Sequence, residues 1–97
     1  MNKERILSLL AGRREDILVR FGVKKLGLFG SAARDDMRSD SDVDILVEFQ
    51  DAATFNRYMD LKAYLEALLG TAVDLVTEDA LKPRMRPLIE KDMVRVA

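Results

Sequence analysis

Two aspartates one residue apart, Asp42 and Asp44, stand ten residues after a Gly30-Ser31 pair in the stretch LFGSAARDDMRSDSDVDILVEF, Leu28 to Phe49. Read as the opening of a strand, Asp42-Val43-Asp44 sends both carboxylates to one side, about 6.6 Å apart along the backbone, because strand side chains alternate between faces. That spacing suits the holding of metal. Val43, Ile45, Val47 and Phe49 fall on the opposite face as a run fit for burial. Upstream, Gly30 at a strand end permits a sharp turn, and Ser31 offers an N–H and a hydroxyl where a short helix can begin and attract phosphate. Taken alone, a Gly-Ser pair is only a turn signal. Arg34, on the first turn after Ser31, divides evenly between a surface charge and a phosphate contact. Farther along, Asp74 is set among Val73, Leu75 and Val76. Either it lies in solvent at the end of a short edge strand, or a cation offsets a charge that is costly to bury.

Composition narrows the chemistry. The 97 residues, 48% of them hydrophobic, make one compact domain over 1–97 with no room for a second lobe. With 16 basic and 17 acidic residues the net charge is −1, a poor balance for neutralising a polynucleotide, so no nucleic acid partner is expected. There is no cysteine and no histidine, which removes thiolate and imidazole from the candidates. Ligation and proton transfer then fall to carboxylates, whose preferred cations are hard ones such as magnesium or calcium. No apolar run approaches the roughly 20 residues that span a bilayer, and the start MNKERILSLLAGRRED lacks the apolar core of a signal peptide. No membrane association and a cytoplasmic location are the expectations.

The elements that must position these residues follow from periodicity. Residues 2–21 read as one amphipathic helix carrying Ile6, Leu9, Leu10, Ile17, Leu18 and Phe21, with Gly12 and Arg13-Arg14 leaving its middle turn exposed or bent. Val23 to Phe29 is a first strand in which Gly27 admits a close neighbour. Ala32 to Ser41 is a polar loop, and the second strand runs from Asp42 to Phe49. After a loop capped by Asp51 or Thr54, residues 55–69 form a helix with Phe55, Tyr58, Met59, Leu61, Leu65, Leu68 and Leu69 as a wide apolar stripe. Ala72 to Thr77 is a third strand. Pro83 and Pro87 allow two short turns or one kinked helix through Lys91, and Met93 to Val96 is a last strand at a sheet edge.

If the second and third strands are neighbours, Asp42, Asp44 and Asp74 converge. Three such charges repel one another, so a structure that gathers them normally gathers a divalent cation as well. A pair of magnesium ions in such a cluster can activate an attacking hydroxyl and stabilise the leaving oxygen of an in-line displacement at phosphorus. The corresponding reaction is phosphoryl or nucleotidyl transfer.

The same residues carry a resemblance. Gly30-Ser31, ten residues and then Asp42-Val43-Asp44 resembles the signature of the DNA polymerase beta-like nucleotidyltransferase superfamily. LFGSAAR with SDVDILVEF resembles its minimal, MNT-type members over nearly the whole chain. The resemblance implies an α/β (α+β) fold, a small mixed sheet with helices packed on one face and the site on the other. It implies that Gly30 and Ser31 hold the triphosphate of ATP, with Arg34 as a further phosphate contact. Asp42 and Asp44 would ligate magnesium, and Asp74 would complete the cluster and assist deprotonation of the acceptor. Members commonly have glycine after the arginine; here that position is Asp35, which bears on the loop and on Arg34 as an anion ligand.

The resemblance also implies AMP transfer from ATP to a hydroxyl of another molecule, since the chain is too short to carry its own acceptor lobe. For minimal members the acceptor is a tyrosine of a HEPN-type toxin, which makes the chain an antitoxin, assembled as a homodimer or a hetero-oligomer. A rival reading is an antitoxin that occludes its partner by binding alone; the intact acidic triad argues against it. Transfer to a small molecule such as an aminoglycoside needs a lobe that only a second subunit could supply.

Overall fold

The computed structural model describes residues 1–97. The first helix, α1 (Lys3–Ala11), is capped by the Asn2 side chain, which accepts from the Arg5 N–H at 2.9 Å. The expected single helix over 2–21 is two. The chain leaves helical geometry at Arg13, with φ −118° and ψ 13°, and restarts as α2 (Arg14–Arg20). Gly12 closes α1 through an N–H bond to the Ser8 carbonyl at 3.0 Å, so the residue of weakest helix propensity is where the helix breaks. Ile6, Leu10 and Ile17 are nevertheless fully buried on one side of the pair.

Four strands make one sheet: β1 (Val23–Phe29), β2 (Val43–Phe49), β3 (Val73–Thr77) and β4 (Val94–Arg95), in the order β3-β2-β1-β4. β1 is antiparallel to both β2 and β4, and β2 is parallel to β3, so the sheet is mixed as expected. Parallel neighbours need a crossover, supplied by α4 (Phe55–Leu69). Thr54 caps it, accepting from the Arg57 N–H, while Asp51, the other candidate cap, pairs instead with the Arg57 guanidinium at 2.6 Å. Between β1 and β2 the short helix α3 (Gly30–Ala33) opens the polar loop.

Alternation along the strands sorts the two faces. Val23, Leu26 and Leu28 of β1, Val43, Ile45 and Val47 of β2, and Val73 and Leu75 of β3 are buried against α1, α2 and α4, with Leu61, Leu65 and Leu69 of α4 completing the core. The opposite face carries Gly27, Asp44, Leu46 and Asp74. Part of it is covered by α5 (Arg86–Asp92) and the residue after it, because a Cβ on Gly27 would fall 2.7 Å from Met93 Sδ. Gly27 thus admits a close neighbour, and Leu46 beside it is buried to 1% exposure. The helices are therefore mainly on one face, with one short helix on the other. Pro87 lies in the first turn of α5, where it costs no hydrogen bond, so the tail is a short 3-10 turn (Glu78–Ala80), a turn over 83–85 and then one helix with no proline in its interior.

The stripe of α4 is narrower than its sequence suggests. Phe55, the first residue of α4, is 75% exposed and Met59 is exposed as well, both outside the buried line of Leu61, Leu65 and Leu69. On the sheet side, the Tyr58 hydroxyl donates to the Leu75 carbonyl and Glu66 accepts from the Val73 N–H at 2.9 Å. Both contacts occupy backbone groups on the free edge of β3. No helix is long and apolar enough to cross a membrane. Urea titration checks the narrowed stripe: Leu65→Ala should cost about 2–5 kcal/mol through loss of packing, whereas Phe55→Ser should change stability by no more than about 0.5 kcal/mol.

Candidate active site

The register of β2 on β3 decides the geometry. Asp44 is paired directly with Asp74, and across the sheet Phe29, the last residue of β1, is paired with Asp44. Neighbouring strands are about 4.8 Å apart, so Asp44 and Asp74 are adjacent on the same face. β2 begins at Val43 rather than Asp42, which leaves Asp42 exposed just ahead of the strand. The structure sets Asp44 and Asp74 side by side in the strand register, while Asp42 lies ahead of the strand. As the side chains lie, no three carboxylates form a ready-made cation cage. Asp42 is a flanking member of the cluster, its side chain free in solvent.

Burial raises the Asp44 carboxyl above the usual carboxylate range, reinforced by the charges of Asp74 and Asp42 and by the hydrogen-bond contact with Asp74; the positive charge of Arg34 works against the rise. The donor set fits a hard divalent cation, since oxygen ligands are the only ones offered and a positive charge would relieve the crowding of Asp44. Asp74 answers the question left by its sequence: it is exposed on an edge strand, in register with Asp44.

Gly30 fits against Asp44 as no other residue could. Its φ is +69°, and an added Cβ would fall far inside the van der Waals contact distance from Asp44 Oδ2. The turn that starts α3 is thereby pressed onto the carboxylate that most needs compensation, and Ser31 follows in the first turn, where helix N–H groups lack internal partners.

Arg34 closes α3 and does not stand free. Its Nε donates to Asp36 Oδ2 at 3.3 Å and its Nη1 to Asp92 Oδ2 of α5 at 3.4 Å. Neither acid was a candidate in the sequence. Asp36 was one charge in a polar loop, and nothing at a separation of 58 residues points to Asp92. Asp35 has φ +59°, the left-handed region, where aspartate is among the least disfavoured side chains. Its carboxylate accepts from the Lys3 N–H at 3.1 Å, so it serves the start of α1 rather than intruding on the loop.

The cluster is open to solvent. A hollow of about 460 Å³ lies elsewhere, lined by Phe49, Phe55, Tyr58, Glu48 and Glu78 where β2 and β3 end, whereas Asp44 and Asp74 lie where those strands begin. Paired carboxylates beside a Gly-Ser turn carry the chemistry that the hollow lacks.

A mixed sheet presenting paired acids next to a glycine turn suits an enzyme that handles the phosphates of a nucleotide, the class of the nucleotidyltransferases. The chain belongs to the nucleotidyltransferase domain family, whose family model matches residues 10–96. Over 93 residues it is 41% identical to the protein adenylyltransferase MntA of Thermococcus cleftensis, covering 96% of this chain and 94% of that one. A solved structure provisionally identified as a minimal nucleotidyltransferase superposes with a TM-score of 0.83 at 36% identity, over 97% of this chain and 95% of the other. At the level of fold alone, a chain in the structure of tri-AMPylated Shewanella oneidensis HEPN toxin in complex with MNT antitoxin matches with a TM-score of 0.68. That match is 19% identical and covers 94% of this chain and 71% of that one.

Two stability measurements check the site's electrostatics and packing. Gly30→Ala should lower Tm, since it meets both a disfavoured φ and the Asp44 carboxylate. Asp44→Asn, in chelator without divalent cations, should raise Tm at pH 7. A carboxyl whose folded pKa is raised destabilises the fold above that pKa and ceases to do so below its unfolded value, so the gain should shrink as pH falls through the carboxylate range.

Proposed function

We propose that this chain transfers AMP from ATP to a hydroxyl of a partner protein, a tyrosine of a HEPN-type toxin, and so acts as an antitoxin. The observation that carries the reading is the in-register pairing of Asp44 with Asp74 against the Gly30 turn, which puts carboxylates and a phosphate-compatible turn on one open face. The 41% identity to a protein adenylyltransferase supports a protein acceptor, and the fold shared with a chain of a HEPN toxin and MNT antitoxin complex supports the kind of partner. The open site agrees with an acceptor as large as another protein.

In this reading the Gly30-Ser31 backbone and the Ser31 hydroxyl cradle the triphosphate, and Arg34 adds a charged contact. Asp42, Asp44 and Asp74 would hold magnesium, which when bound neutralises phosphate charge and lowers the pKa of the attacking hydroxyl. The acceptor oxygen attacks the α-phosphorus in line. As that bond forms, the bond to the bridging oxygen of the β-phosphate breaks and pyrophosphate leaves. Asp74, exposed at the sheet edge, takes the proton of the acceptor hydroxyl. Gly30, with no Cβ, keeps the turn and Asp44 in fixed relation throughout.

Incubation with ATP, magnesium and a HEPN-type toxin encoded beside this chain's gene tests this by intact mass. The expected result is an AMP-sized gain on the partner that chelator abolishes and that Asp42→Asn and Asp44→Asn each reduce at least about a hundredfold. Neutralisation of the partner by the Asp42→Asn, Asp44→Asn double variant as fully as by the parent, with no mass gain, would replace transfer by simple occlusion.

A further inference from the structure

We propose that Asp92 of α5 is a positioning residue for nucleotide binding: it holds the Arg34 guanidinium in the orientation that meets the phosphates. The inference rests on Arg34 being a phosphate contact, the reading given above, and goes beyond it by assigning a function to the C-terminal helix. Two carboxylates hold the guanidinium at separate donors, Asp36 at Nε and Asp92 at Nη1. A guanidinium carries five N–H donors in a rigid planar fork, so a grip on Nε and Nη1 fixes its plane and leaves the Nη2 donors uncommitted. A long side chain otherwise loses rotamer freedom when it binds an anion, and immobilising it beforehand removes that cost from binding.

The two anchors differ in what they can do. Asp36 is two residues from Arg34 in the same loop and moves with it. Asp92 is 58 residues away on a separate element that also packs on β1, and its side chain is 31% exposed against 58% for Asp36. It therefore ties the arginine to the sheet rather than to its own loop. The positive charge so placed is felt at Asp44, the half-buried member of the acidic pair. No other salt bridge joins the loop after α3 to another part of the chain.

A double-mutant cycle on Arg34→Gln and Asp92→Asn tests this in the full chain, with affinity for a fluorescent ATP analogue and magnesium as one readout and steady-state AMP transfer as the other. Asp92→Asn should weaken nucleotide affinity and raise KM for ATP about fivefold, with kcat changed less than about twofold. Asp92→Glu should restore much of the loss. In the Arg34→Gln background Asp92→Asn should have no further effect, because its influence passes through the arginine. An unchanged or tighter nucleotide affinity in Asp92→Asn overturns the proposal, as does an equal loss in both backgrounds, which would mark a purely structural role for α5. Failure of the reading beneath it looks different: Arg34→Gln would then bind nucleotide as the parent does, or the parent would bind without transferring AMP.

Discussion

The contact on which the rest of the site depends is the one between Gly30 and Asp44. A half-buried carboxylate needs some compensation, and here the fold presses a backbone turn against it where any side chain on Gly30 would collide. That single fit fixes the end of β1, the start of α3 and the start of β2 in one arrangement. Phe29 lies opposite Asp44 in the antiparallel ladder, and Asp74 lies opposite it on the parallel side, so the carboxylate is central to three strands. The polar face is therefore not an appendage on the scaffold but a part of its register.

The apolar face makes that arrangement affordable. Val43, Ile45 and Val47 are fully buried one residue out of phase with Asp44, so a slip of one residue would bury the acids and expose the core. Burial thus holds together charges that electrostatics alone would separate. The mixed topology contributes as well. A parallel pairing of β2 with β3 puts the beginnings of both strands at one end of the sheet, which is why two acids at equivalent positions arrive side by side.

Much of this was legible in the sequence because it is periodic. The alternation in VDILVEF located β2 to within one residue and assigned its faces, and the bounds of β1 and α4 were read correctly. Asp42, Asp44 and Asp74 were singled out in the sequence, and the strand register supplies what local pattern cannot, namely that Asp44 and Asp74 are paired while Asp42 lies ahead of the strand. The break at Gly12 was legible only as a weak point. Phe55 and Met59 were misread as core because helical spacing identifies a stripe but not how much of it a four-stranded sheet can cover. Asp35 was read as an acid in place of the family's usual glycine, bearing on the loop and on Arg34; that the position needs a left-handed backbone shows only in the fold, at φ +59°. The clasp of Arg34 by Asp92 is a long-range ion pair between exposed-type residues, and nothing in a single sequence marks one.

The free edge of the sheet has a last consequence. With the Leu75 carbonyl held by the Tyr58 hydroxyl and the Val73 N–H by Glu66, the edge strand nearest the acids has two of its backbone groups already occupied by its own helix. A partner therefore has little invitation to enlist as an extra strand beside Asp74. An extended main chain laid along this edge finds two of its hydrogen-bonding positions already taken.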